Sequence, residues 1–247
     1  MLKRRIPAVL LALLLTLCAL SGCGAPSESA PKDQTSAAFD EGNIVLQFAA
    51  LSDLHIGRNG ANTEFCIKEA YKQLRDLAAQ YTDHGLDAVL AAGDLINNAT
   101  TEQIEDFAEL YESLFDPREV PLVFSLGNHD VQVGSSSYCW GDQDFESFYA
   151  ALGEEYRGYE KETSELEIGC VHQIVNGYHF LAINPLDEGY RNSLDGSALY
   201  APEAKEWLDK TLADITKEYP DQYVFIATHP LIFGTTYGSE LTYTTTA

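Results

Sequence analysis

Four short, almost wholly apolar runs, each closed by a small polar motif, constrain this chain more than any other feature. They are residues 44–51, 88–92, 121–126 and 223–227. Runs of this length, bounded by turn residues and rich in Val, Ile, Leu, Phe and Ala, are strands buried on both faces. Helical periodicity fills the gaps between the first three. Asn62 or Thr63 is placed to cap a helix with Ile67, Ala70, Tyr71, Leu74, Leu77, Ala78 and Tyr81 on one face. Thr100 and Gln103 stand in capping-box positions ahead of a stripe of Ile104, Phe107, Tyr111 and Leu114. Buried strands alternating with amphipathic helices predict an α/β fold with a mainly parallel sheet covered on both faces.

Further along, the pattern changes. Residues 144–152 read as a short helix, and 171–183 as a hairpin turning at Asn176-Gly177. Pro202 opens a helix carrying Trp207, Leu208, Leu212 and Ile215. Residues 235–247, rich in Thr, Tyr and Gly, carry no helix cap or closing strand.

Charge and composition remove several function classes. The chain has 247 residues, 45% of them hydrophobic, so it holds enough apolar side chains for a core. Asp plus Glu number 38 against 15 Lys plus Arg, a formal charge of −23. Such a chain repels nucleic acid and anionic membrane surfaces. A phosphorylated substrate would need positive charge from another source, and metal ions are the natural one.

The N-terminus reads as an address. Lys3, Arg4 and Arg5 precede an apolar stretch, 6–20, too short to span a bilayer comfortably. Leu20-Ser21-Gly22-Cys23 resembles the lipobox of bacterial lipoproteins. The resemblance implies cleavage before Cys23 and lipidation of its sulfur, with acyl chains holding the protein at the membrane surface, facing away from the cytoplasm. Residues 1–22 are thus expected to be a signal peptide. Residues 23–42, rich in Ser, Ala and Pro, are expected to be a flexible tether, and 43–247 the folded domain. Loss of the leader discards three basic residues and no acid, so a lipid, not charge, would hold the body at a membrane. Of the remaining cysteines, Cys66 falls on the apolar side of the first helix and is expected in the core. Cys139 and Cys170 are at an irregular spacing, and a bridge between them is left open.

The chemistry-bearing residues follow the strands: Asp53 and His55, then Gly93-Asp94, then Gly127-Asn128-His129-Asp130, then His229. In a parallel sheet the carboxyl ends of neighbouring strands share one edge, where α/β proteins place their ligands. Carboxylate, amide and imidazole donors without thiolate suit Mn, Fe or Zn. In this order and context the residues resemble the calcineurin-like metallophosphoesterase family, over roughly 44–232. The resemblance implies a two-sheet β-sandwich flanked by helices, in layers α/β/β/α. It implies two divalent or trivalent ions, with Asp53 and His55 on the first, Asp94 bridging, and Asn128 and His229 on the second. A hydroxide between ions about 3.5–4 Å apart would attack the phosphorus of a monoester or diester. His129 would stabilise the phosphate or protonate the leaving oxygen, and Asp130 would orient His129 by accepting its other N–H.

The family pattern also includes a later Gly-His-x-His, and this chain contains none; His229 is its last histidine. The expectation is a domain incomplete at its C-terminus, with weakened metal binding in the chain as written. A rival expectation is a non-catalytic surface binding lipoprotein on the same fold. No Gly-x-Ser-x-Gly elbow is present, which removes a serine hydrolase. Small phosphorylated or cell-envelope substrates are the expected partners. Tyr138, Cys139 and Trp140 are candidates for a pocket wall. His84 reads as part of a solvated turn, and His172 and His179 as strand-surface residues.

Overall fold

The computed structural model describes residues 44–58, 61–133, 139–140, 145–184, 200 and 202–230. The leader, Cys23, the tether, Tyr138 and most of the long loops after strands lie outside the described residues.

Three strands, β1 (Phe48–Leu51), β2 (Ala88–Ala92) and β3 (Leu122–Ser125), form a parallel sheet in the order β1-β2-β3. Helices α1 (Ala61–Ala78) and α2 (Thr101–Glu112) make the crossovers. β1 is shorter than expected, because residues 44–47 make no ladder with β2. α1 begins ahead of both proposed caps, so Asn62 and Thr63 lie in its first turn. Its inner stripe is narrower too: Ile67, Tyr71 and Ala78 are buried, whereas Ala70, Leu77 and Tyr81 face solvent. Cys66 is likewise exposed, not a core residue. α2 follows its pattern closely, with Ile104, Phe107 and Tyr111 fully buried.

A short helix α3 (Asn128–Val131) and a two-residue pairing of β4 (Gln132–Val133) with β5 (Cys139–Trp140) follow β3. α4 (Phe145–Leu152) then lays Phe145, Phe148 and Tyr149 against Phe124 of β3, the Phe124–Tyr149 centroids 4.7 Å apart. The second sheet has the order β6-β7-β8, from β6 (Cys170–Val175), β7 (Tyr178–Ile183) and β8 (Val224–Ala227). β6 and β7 are antiparallel across Asn176-Gly177, and both turn residues take positive φ, +49° and +81°. That is the geometry a two-residue type I′ hairpin demands. β8 joins β7 in parallel, after α5 (Pro202–Glu218) has crossed over.

The two sheets face each other through an aromatic seam. Phe48 of β1 meets Phe180 of β7 at 5.2 Å and Phe225 of β8 at 4.7 Å between centroids. α5 covers the outer face of the second sheet with Ala204, Trp207 and Ile215 on Leu181 and Ile183. The result is the expected α/β/β/α layering. A buried carboxylate, Asp87, ties the sheets at one end. It accepts hydrogen bonds from the Gln47 N–H and the hairpin's Asn176 Nδ2, both at 2.6 Å, and lies 3.0 Å from His84 Nε2. His84 is exposed in a turn, as expected, and there it partners Asp87.

A further expectation changes. His172 and His179 are buried, not on a strand surface. They sit diagonally across the β6–β7 ladder, on the face covered by α5, with Nε2 of one 2.8 Å from Nδ1 of the other. The bridge left open for Cys170 is not formed: it is a buried free thiol, and burial pushes its pKa up to about 12.

Candidate metal centre

Backbone pairing does not stop where β1 and β2 end. Asp53 N donates to Gly93 O (3.0 Å), His55 N to Asp94 O (2.9 Å) and Ile56 N to Leu95 O (3.0 Å), and Asn97 N donates back to Ile56 O (3.0 Å). Ile56, Leu95 and Ile96 are fully buried and anchor this zipped pair of loops from below. The ladder fixes Asp53 and His55 beside Asp94 although 41 and 39 positions separate them along the chain. Asp53, His55 and Asp94 all take left-handed backbone angles, with φ of 57°, 49° and 54°. That conformation is unfavourable for residues with a Cβ and collects at functional sites.

Glycine makes the close approaches possible. A Cβ on Gly127 would overlap the Asp94 carboxylate and come within 2.5 Å of its N. A Cβ on Gly93, at φ +80°, would lie 2.6 Å from the His229 ring. So the third loop and the end of β8 press directly on the Asp94 turn.

The side chains converge on Asp94, whose carboxylate is almost fully buried. Its Oδ2 is 3.6 Å from His55 Nε2 and its Oδ1 is 3.6 Å from His229 Nε2. His55 Nε2 is also 3.9 Å from Asp53 Oδ1. Two donor groups result, His55–Asp94–His129 and Asp53–Asp94–His229, each with its ligand atoms within 4.8 Å of one another. Asp94 belongs to both.

The histidines are oriented by backbone. His229 Nδ1 meets Ala92 O at 2.8 Å, and His129 Nδ1 meets Asn97 O at 2.9 Å. A carbonyl only accepts, so each Nδ1 carries its proton and each Nε2 keeps a lone pair. His55 stands edge-on to His129, centroids 4.6 Å apart, and its buried Nδ1 has no hydrogen-bond partner. Burial lowers the His55 pKa; Asp94 opposes that shift, and His129 adds to it.

Asp130 does not take the partner expected for it. The Asn97 carbonyl holds the Nδ1 of His129, while Asp130 is wholly buried and accepts from Ile96 N (2.9 Å) and Gly127 N (2.8 Å). It clamps the Asp94 loop to the Asn128 loop. Burial pushes its carboxyl up to about 8, against the pull of those two N–H groups. Asn128 opens α3, next to His129, whose own N–H donates to Asp94 Oδ1 at 2.9 Å.

Three supporting residues escaped the sequence reading. Gln103 is in capping position, but its Oε1 accepts from Asn97 N (3.2 Å) and Asn98 N (2.8 Å) rather than reaching back to the helix cap. It also lies against Gly57, so it props two site loops at once. Asn184, just after β7, accepts from Leu126 N and donates to Gly169 O, tying the second sheet to the loop that carries Asn128. Asn97 contributes through its carbonyl. The capping-box pattern marked Gln103 for a different job, and nothing local marks the other two.

The donor set fits metal ions on this structure's own terms. One buried carboxylate divides its oxygens between two histidines. Two imidazoles have their tautomers fixed by backbone, and no thiolate intrudes. A two-sheet α/β sandwich with such a cluster at the carboxyl ends of its strands defines a class of metal-centred α/β proteins. The profile of the calcineurin-like phosphoesterase family matches residues 46–244, and the chain belongs to that family. A search of curated proteins finds no match for it.

Proposed function

We propose that this protein hydrolyses phosphomonoesters or phosphodiesters at a dinuclear metal centre. Family membership supports metal-dependent phosphoester hydrolysis. The observation that carries the finer reading is the sharing of Asp94 between two donor groups. In this reading Asp53, His55, Asp94, Asn128 and His229 hold the ions, drawn from Mn, Fe or Zn, while His129, which falls in the first donor group, is kept for the leaving oxygen. Bound ions supply Lewis-acid polarisation of the phosphoryl oxygens and a lowered pKa for water.

The chain's own residues do the rest. Asp94 sets the spacing of the two halves of the site through its two oxygens. His129, with its proton fixed on Nδ1 by Asn97, presents Nε2 as the atom that receives or returns a proton at the leaving oxygen. Asp130 holds the two loops in register and acts on the chemistry only through them.

Metal analysis combined with p-nitrophenyl phosphate and bis-p-nitrophenyl phosphate turnover tests this. Asp94→Asn is expected to lower bound metal and to reduce turnover by about 100-fold or more. Equal metal content and equal turnover in the variant would overturn the reading. A wild type that binds no metal and cleaves neither ester would point to a binding protein on the same fold.

We propose further that the protein is anchored by lipid on Cys23, on the extracytoplasmic face. The support is the order of basic head, apolar stretch and Leu-Ser-Gly-Cys in residues 1–23. Mass spectrometry of the N-terminal peptide checks it; an unmodified Cys23 in membrane fractions would sink it.

A further inference from the structure

A peptide group in the site links His129 to the start of α2. It is the unit made by the Asn97 carbonyl and the Asn98 N–H, which planarity holds rigid and the trans form points in opposite directions. The carbonyl accepts from His129 Nδ1 at 2.9 Å. The N–H donates to Gln103 Oε1 at 2.8 Å, and the Asn97 N–H, which also reaches Ile56 O, donates to the same oxygen at 3.2 Å. Two donors meet one side-chain atom, so that atom is the amide oxygen of Gln103 and not its nitrogen.

The loop does not keep that peptide plane by backbone preference. Ala99 takes φ +51°, a left-handed conformation that costs a residue with a Cβ. Gln103 supplies the grip. Its own N–H donates to Thr100 Oγ1 at 3.3 Å, which seats it in the first turn of α2. Its side-chain amide lies against Gly57, where a Cβ would overlap it, so the amide is confined between two site loops.

The consequence falls on His129. Hydrogen bonds in series polarise one another, so an acceptor at the N–H end of a peptide makes the carbonyl at its other end a better acceptor. Gln103 therefore sets the tilt of the Asn97 carbonyl and strengthens its hold on Nδ1. When His129 serves the leaving oxygen, the bond from phosphorus to that oxygen breaks and the oxygen takes the proton on Nε2. The imidazolium then becomes the Nδ1–H tautomer that Asn97 already holds. A weakly basic leaving group such as nitrophenolate departs without that proton, whereas a more basic oxygen needs it.

Resting on the phosphoesterase reading above, we infer that Gln103 is a positioning residue: through the Asn97–Asn98 peptide it fixes the tautomer and aim of His129, and so lets the site cleave phosphoesters whose leaving oxygen must be protonated. It acts on turnover more than on binding, because its effect reaches the substrate only through His129.

Three variants test it. Gln103→Met keeps the length of the side chain and removes its oxygen, Gln103→Glu keeps an acceptor, and Thr100→Ala weakens the same helix start while leaving the Gln103 oxygen in place. In metal-free protein at about pH 8, where an ordinary imidazole is neutral, 15N NMR of His129 is expected to show the Nδ1–H tautomer in wild type, Gln103→Glu and Thr100→Ala. Gln103→Met should show a mixture of tautomers. In manganese-loaded protein, Gln103→Met is expected to hold as much metal as wild type. It should nevertheless slow phenyl phosphate or diphenyl phosphate about tenfold more than the matching nitrophenyl ester, through kcat rather than KM. Gln103→Glu should restore most of that loss, and Thr100→Ala should show no such split. An unchanged tautomer in Gln103→Met, equal loss on both esters, loss of bound manganese, or the same split in Thr100→Ala overturns the inference. Turnover by wild type with a tautomer indifferent to Gln103 overturns the positioning role and keeps the hydrolase. A tautomer that depends on Gln103 in a protein that cleaves no phosphoester keeps the positioning role and overturns the hydrolase.

Discussion

At the residue scale the site depends on atoms that are missing as much as on those present. Gly93 and Gly127 let the Asp94 turn, the His229 ring and the Asn128 loop meet at distances no Cβ would permit. Gly93→Ala therefore faces two costs: about 1 kcal/mol for a Cβ at φ +80°, and the overlap with His229. The expected outcome is a loss of about 1–3 kcal/mol in urea unfolding together with weaker metal binding. Metal affinity unchanged from wild type would show that His229 is not held by that contact. The residue types of the cluster were legible in the sequence, because Asp53, His55, Asp94 and Gly127-Asn128-His129-Asp130 each follow an apolar run. The partners were not. Asn97 acts through a carbonyl that any residue possesses, and the Asp130 carboxylate binds backbone N–H groups rather than the neighbouring imidazole.

At the element scale the parallel strands and their helices came out close to the sequence pattern, while the hairpin carried a surprise. His172 and His179 form a buried, hydrogen-bonded pair between β6, β7 and α5. Around them stand the Thr163 hydroxyl, 2.7 Å from His172 Nδ1, the Tyr219 ring, and the carboxylates of Glu160 and Glu218. Burial lowers the His172 pKa to about 4 from the ordinary 6.5, and the charge of His179 adds to the shift. Burial lowers His179 as well, with Glu218 and Glu160 opposing. Between about pH 6.5 and 4 the unfolded chain therefore binds protons that the folded chain refuses. The stability tied to this pair is whole above about 6.5 and is lost as pH falls through that window. Urea midpoints measured from pH 7 to pH 4 should drop steeply in wild type and less steeply in His172→Gln, even if the variant starts lower. Parallel profiles would contradict the assignment. Alternating strand positions carry no sign of which face is covered, so the sequence favoured the exposed reading for both histidines.

At the scale of the whole described domain, the two sheets are one cooperative unit only if their seam is. Phe180 is fully buried and touches Phe48 and Phe225, so it belongs to both sheets at once. Phe180→Ala should cost about 3–5 kcal/mol in urea unfolding, whereas Tyr223→Ala, at a residue 76% exposed, should stay within about 0.5 kcal/mol. A small effect at Phe180 would mean that the sheets hold together by other means. His229 gives the seam its functional weight, because it rides on β8 of the second sheet and bonds Ala92 at the end of β2. Loosening the seam should therefore weaken the metal centre as well as the fold. The amino-acid sequence by itself determined the strands and helices, the α/β class and the donor types, because apolar periodicity and turn chemistry act over a few neighbouring residues. Only the tertiary structure decided which donors share Asp94, which carbonyls set the histidine tautomers and which histidines are buried. Those depend on through-space distances of a few ångströms between residues as much as 137 positions apart, and no local pattern encodes them.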